Sequence, residues 1–118
     1  MRVLVTVSPR VYRESVAASV QRARPDLEVR AASPEEAELE LAGFGPHLLV
    51  HNDALPVPRE ALDGVPCRVE MPYSDGMDTR VSAGGEVFRV RDMSTEDLLR
   101  TVAVAAAVAA AVGETDKA

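Results

Sequence analysis

The chain has 118 residues, 47% of them hydrophobic and 27% charged, a composition within the range of ordinary globular proteins and long enough to bury roughly two thirds of the unfolded surface in one domain. Its 13 basic and 19 acidic residues leave a net charge of -6, which argues against holding phosphate backbones or anionic lipid by nonspecific attraction, so neither a nucleic acid nor a membrane is expected as partner. One cysteine, Cys67, and two histidines exclude a disulfide scaffold and a structural zinc site, and no metal or cofactor is expected.

In chain order, residues 2–7 are a continuous apolar and β-branched run bounded by Ser8 and Pro9, the composition of a short strand covered on both faces. The run is too short for the core of a signal peptide, which points to the cytoplasm. Tyr12, Val16, Val20 and Ala23 follow at helical spacing, with Ser8 as the cap, Pro9 in the first turn and Pro25 as the stop. Residues 27–31 alternate like a half-buried edge strand. Ser33, Pro34 and Glu36 form a capping box that opens a second helix, whose buried stripe is Ala37, Leu41 and Phe44 and which Gly43, Gly45 and Pro46 end.

Residues 47–52 read as a third strand, followed by a proline-rich loop and one helical turn at 59–62. Cys67, Val69 and Met71 alternate with Arg68 and Glu70 to give a fourth strand, and Phe88 and Val90 alternate with Arg89 and Arg91 to give a fifth. Between them, residues 75–86 fit either a short distorted helix or a hairpin turning at the glycines. The strand chemistry of Thr79, Arg80, Val81 and Ser82 favours irregular or hairpin structure. Ser94 caps a last helix with the core stripe Leu98, Leu99, Val102, Ala106 and Ala109. Its uncharged stretch, 101–113, falls short of the roughly 20 apolar residues of a membrane span. The domain is expected to cover residues 1–113, with a frayed polar tail at 114–118.

Strands alternating with helices imply an α/β fold: five strands in a parallel sheet, joined by right-handed crossovers into a doubly wound three-layer sandwich. The functional crevice of such a sheet lies at the carboxyl ends of its strands, here Val7-Ser8, Asn52-Asp53, Met71-Pro72 and Arg91-Asp92.

Several segments together resemble the receiver domain of bacterial two-component response regulators. They are Arg2-Val3-Leu4-Val5 with Arg13-Glu14, then Pro25-Asp26-Leu27-Glu28-Val29, then Gly45-Pro46-His47-Leu48-Leu49-Val50, with Leu55-Pro56 and the stretch from Phe88 to Leu99. The resemblance implies a flavodoxin-like strand order 2-1-3-4-5, with the fourth helix region degenerate or replaced by a hairpin. It also implies where the phosphorylation site would lie. The two acidic positions and the phosphoryl-accepting aspartate of the family fall on Val7, Ser8 and Asn52, its hydroxyl position on Met71 and its lysine on Arg91. Magnesium needs hard oxygen ligands, usually carboxylates, and an amide is a very poor nucleophile towards phosphorus. The chain therefore resembles a pseudo-receiver that is not an enzyme. Aligning Asp53 with the acceptor would need a one-residue slip, which turns the apolar set of the strand to the wrong face.

Asn52 reads either as a fixed mimic of one phosphorylation state or as a strand-end residue bonding to a loop. Arg91 reads as part of an anion site beside Ser8 or as a surface ion pair to Asp53 or Asp75. His47 and His51, four apart on a strand, would lie about 13 Å from each other, too far to share a metal ion. Neither His51 nor Cys67 has a visible partner to activate it. Residues 26–63 carry nine acidic residues against two arginines, a charge that steers a basic partner or simply faces water.

In the last helix, Val104, Val108 and Val112 form a second stripe. Helices apolar nearly all round are usually buried on more than one side, and the resemblance adds the fifth strand, with Phe88, to the same association surface. The expected function is a signalling module that binds a protein partner or dimerises without phosphorylation. The alternative is a small-ligand or anion-binding domain using the crevice around Ser8, Asn52 and Arg91.

Overall fold

All five residues of Leu48–Asn52 and the Val3, Leu4 and Val5 of Arg2–Val5 are buried. Strands with buried residues on both faces belong at the centre of a sheet covered on both sides. The computed structural model, which describes residues 1–53, 55–72, 78–83, 85–91 and 93–117 (for 111–117 the backbone only), places them there. The elements run β1 (Arg2–Val5), α1 (Arg10–Ala23), β2 (Glu28–Ala31), a 3-10 turn (Pro34–Glu36) leading into α2 (Ala37–Phe44), β3 (Leu48–Asn52), α3 (Arg59–Asp63), β4 (Cys67–Met71), β5 (Thr79–Ala83), β6 (Glu86–Val90) and α4 (Thr95–Lys117). Among the described residues, no helix is long and apolar enough to cross a membrane.

The α/β class holds, but the sheet is six-stranded and mixed, in the order β2-β1-β3-β4-β5-β6. The first four strands are parallel, whereas β5 runs antiparallel to β4 and β6 antiparallel to β5. This corrects the expected five-stranded parallel sheet. The physical reason is chain length, since residues 72–78 are too few for the dozen or more that a parallel crossover needs. The link from β5 to β6 is shorter still, with Gly85 at φ +86°, so only antiparallel neighbours can be joined. Of the two structures open for residues 75–86, the described part is therefore the hairpin; residues 75–77 and 84 lie outside the described residues. Two reversals restore the original direction, so Val90 and Arg91 still emerge at the end of the sheet where β1, β3 and β4 finish.

One face carries the main core, where Val3, Val5, Leu48, Val50, Val69 and Val81 join Val16 and Val20 of α1 and Leu98 and Val102 of α4. A smaller core on the other face gathers Leu4 and Leu49 with Ala32, Phe44 and Val65. In α2, Ala37 and Phe44 are buried as the stripe predicts, and Leu41 packs beside them. In α4, Ala105, seven residues after Leu98, takes the fully buried place expected of Ala106, and the helix is assigned as far as Lys117. The Ser33 and Glu36 capping box forms as expected. Ser8 does not cap α1, whose N-cap is Pro9.

Gly45 ends α2 in the left-handed region, at φ +60°, where a Cβ costs about 1–2 kcal/mol. Gly43, inside α2, faces open space. Gly45→Ala is therefore expected to lower stability by about 1 kcal/mol, and Gly43→Ala to raise it by about 0.5–1 kcal/mol, read as opposite shifts of the denaturation midpoint.

Candidate functional site

The tight packing of β1 against β3 brings the carboxyl ends of both strands to one side chain. Asn52 Oδ1 accepts a hydrogen bond from the Ser8 backbone N–H at 2.7 Å, and Asn52 Nδ2 donates one to the Met71 carbonyl oxygen at 3.3 Å. The carboxamide is only 4% exposed, so it ties the ends of β3 and β4 to the entry of α1 and offers nothing to an incoming group. Val7 is fully buried, and Met71 is buried with its sulfur 3.7 Å from the Tyr12 hydroxyl. Val7, Ser8, Asn52 and Met71 thus do come together, and the strand-end reading of Asn52 accounts for both halves of its amide. Among the described residues, no group of three His, Cys, Asp or Glu side chains is placed to hold a metal ion.

Arg91 does not join them. The hairpin puts β4 and β5 between β3 and β6, a separation of about 14 Å at the usual strand spacing, so the anion site expected beside Ser8 is not assembled. Arg91 instead lines a cavity of about 790 Å³ with Asp53, Glu70, Asp78, Arg80 and Arg89. Within it Arg80 pairs with Glu70 at 3.5 Å. Among the described residues no ion pair joins Arg91 to Asp53, and Asp75 lies outside those residues.

This cavity sits on a part of the sheet without a helix above it among the described residues. Cys67, Val69, Val81 and Ala83 turn into the main core, so strand alternation turns Arg68, Glu70, Arg80 and Ser82 to the opposite face. Arg89, paired with Arg80, continues that face on β6. The smaller core ends short of it, resting on β1 and β3.

His51 is the functional candidate that spacing alone did not reveal. It is 1% exposed, with Nδ1 at 2.8 Å from the Asn52 carbonyl oxygen. A carbonyl only accepts, so Nδ1 carries the proton and Nε2 is the bare acceptor. Nε2 is buried and has no hydrogen-bond partner among the described residues. Burial pushes the pKa of the ring below the usual histidine value, against the opposing pull of the Asn52 carbonyl and Glu70. His47 is likewise lowered, by burial and by the Arg2 charge, and its Nδ1 accepts the Arg2 backbone N–H at 3.0 Å.

At the sheet edge, Val87 is 62% and Phe88 41% exposed, and Val104 on α4 is 46% exposed. Val108 departs from the expected exposed stripe because it packs against the main core, and the side chain of Val112 lies outside the described residues.

Asn52→Asp would turn a carboxylate oxygen towards the Met71 carbonyl, replacing a hydrogen bond with two facing acceptors. The expected cost at neutral pH is about 1–3 kcal/mol. The introduced acid is held above its unfolded-state pKa, so the deficit should shrink as the pH falls through the carboxylate range and the protonated acid donates to Met71. Urea denaturation of both proteins at neutral and acidic pH checks this.

No family model matches the sequence, and no curated protein or solved structure matches it either.

Proposed function

We propose that the chain is a noncatalytic regulatory module, receiver-like in layout, that works by association through the β6 edge and the adjoining face of α4 without being phosphorylated. The observation that carries this reading is the exposure of Val87 and Phe88, on opposite faces of an edge strand whose outer side has no neighbouring strand among the described residues. Such an edge is a template for pairing with another chain, and proteins that stay monomeric usually blunt it with prolines, charges or a covering element. Here Glu86 and Arg89 flank the apolar pair but do not interrupt it.

The simplest occupant is a second copy, since two β6 edges related by a twofold axis present the same patch to each other. Val104 on α4 is a further exposed apolar side chain. The engagement of Asn52 with Ser8 and Met71 supports the phosphorylation-independent part, because the position the resemblance gives to the phosphoryl acceptor holds the strand ends together instead.

Light scattering after size exclusion is expected to give a dimer at micromolar concentration, and the paired changes Val87→Glu and Phe88→Glu a monomer with an unchanged circular dichroism spectrum. A wild-type monomer at high micromolar concentration would overturn the self-association reading. Incubation with magnesium and acetyl phosphate should leave the intact mass unchanged, and a stable gain of one phosphoryl group would overturn the noncatalytic reading.

A further inference from the structure

The polar face of β4, β5 and β6 gathers positive charge on a protein that is acidic overall. Arg59, Arg68, Arg80, Arg89 and Arg91 line two adjoining cavities, of about 790 and 270 Å³, that share Glu70 and Arg80. Arg80 is paired with Glu70, and Arg59 approaches Asp63 at 4.0 Å. Among the described residues, the side chains of Arg68, Arg89 and Arg91 take part in no ion pair or hydrogen bond. Arg89 and Arg91 lie two apart at one end of the groove, and two adjacent guanidiniums suit the double charge and several oxygens of a phosphate monoester.

The far end of the groove has a different character. His51 lies there with Val57 and Leu62 beside it, and its Nε2 is a buried acceptor without a donor among the described residues. Buried polar atoms are nearly always satisfied by protein or water, so each exception calls for an account. An aromatic or otherwise flat group carrying an N–H would meet both the apolar side chains and the lone pair. Reaching Nε2 requires flanking side chains to move, and Arg80, with about half its side chain exposed, can rotate without disturbing the sheet. Between the two ends, the Glu70 and Asp78 carboxylates are acceptors suited to hydroxyl groups.

We infer that this groove binds a nucleoside monophosphate, its phosphate on Arg89 and Arg91, its sugar hydroxyls towards Glu70 and Asp78, and an N–H of its base on His51 Nε2. The span from β6 to β3, about 14 Å, matches a ligand with its charge at one end and a flat hydrogen-bonding group at the other. The larger cavity alone, about 790 Å³, falls in the usual range for small-ligand sites. A nucleic-acid strand fits less well, because Asp53, Glu70 and Asp78 interrupt the positive surface and would repel successive phosphates. The inference does not depend on association at the β6 edge: Val87 shares the face of Arg89, but neither it nor Phe88 is among the described residues that line the groove.

The test is calorimetric titration of the full chain with the four common ribonucleoside monophosphates, ribose 5-phosphate and inorganic phosphate, together with the imidazole nitrogen resonances of His51. At least one mononucleotide should bind and shift the Nε2 resonance, with ribose 5-phosphate weaker by about tenfold or more and phosphate weaker again. The double change Arg89→Ala and Arg91→Ala, at two exposed positions, should weaken mononucleotide binding by about tenfold or more while leaving the melting temperature of the unliganded protein near that of wild type. Absence of binding by all four mononucleotides at millimolar concentration overturns the inference. So does binding undiminished by the double change, equal binding of inorganic phosphate without a shift at His51, or tighter binding of a single-stranded RNA oligomer than of any mononucleotide.

Discussion

The length of the chain between Met71 and Thr79 governs the rest of this molecule. A doubly wound sheet adds each parallel strand through a helix that crosses the sheet and covers it, and residues 72–78 are too few to make that crossing. The chain reverses instead, lays β5 antiparallel against β4, and reverses again at Gly85 to form β6. Three consequences follow together. The last strand is carried one position further out, which separates Arg91 from Asn52. On the face of β4 to β6 opposite the main core, the described residues place only α3 at the margin, where Arg59 and Leu62 line the smaller cavity, and Arg80, Arg89 and Arg91 are exposed. The sheet ends on an open strand that shows Val87 and Phe88 to solvent.

The half of the fold from β1 to β3 was readable in the sequence because its signals were redundant. The apolar run in β1, the capping box at Ser33 and the Gly45 stop each point to the same layout, and the structure realises all three. The second half was ambiguous because the same alternation serves two architectures. A strand that alternates Cys67, Val69 and Met71 with Arg68 and Glu70 has only one apolar face, which is the mark of a sheet covered on one side. Taken with the same alternation in β5, that pattern already argued against a helix over the polar face.

The candidate site divides along the same line. The grouping of Val7, Ser8, Asn52 and Met71 at neighbouring strand ends was legible, because it depends only on the order of parallel strands, and the hydrogen bonds that Asn52 accepts from Ser8 and donates to Met71 give it a structural role. The arginine groove was not, because it depends on which strands lie side by side after the hairpin forms: Arg68, Arg80 and Arg89 are far apart in sequence and adjacent only across the β4-β5-β6 ladder. His51 shows a further limit. Spacing excludes it from a metal pair with His47, but only the packed structure reveals that one ring nitrogen is committed to the Asn52 carbonyl and the other is buried without a donor.

The antiparallel hairpin is the claim from which the open face and the open edge both follow, and cross-strand nuclear Overhauser effects measure it directly. The account predicts backbone contacts between Val69 and Val81 and between Val81 and Phe88, in the alternating pattern of antiparallel neighbours. Sequential helical contacts through residues 79–83, or contacts of Phe88 with β4 in place of β5, would contradict it.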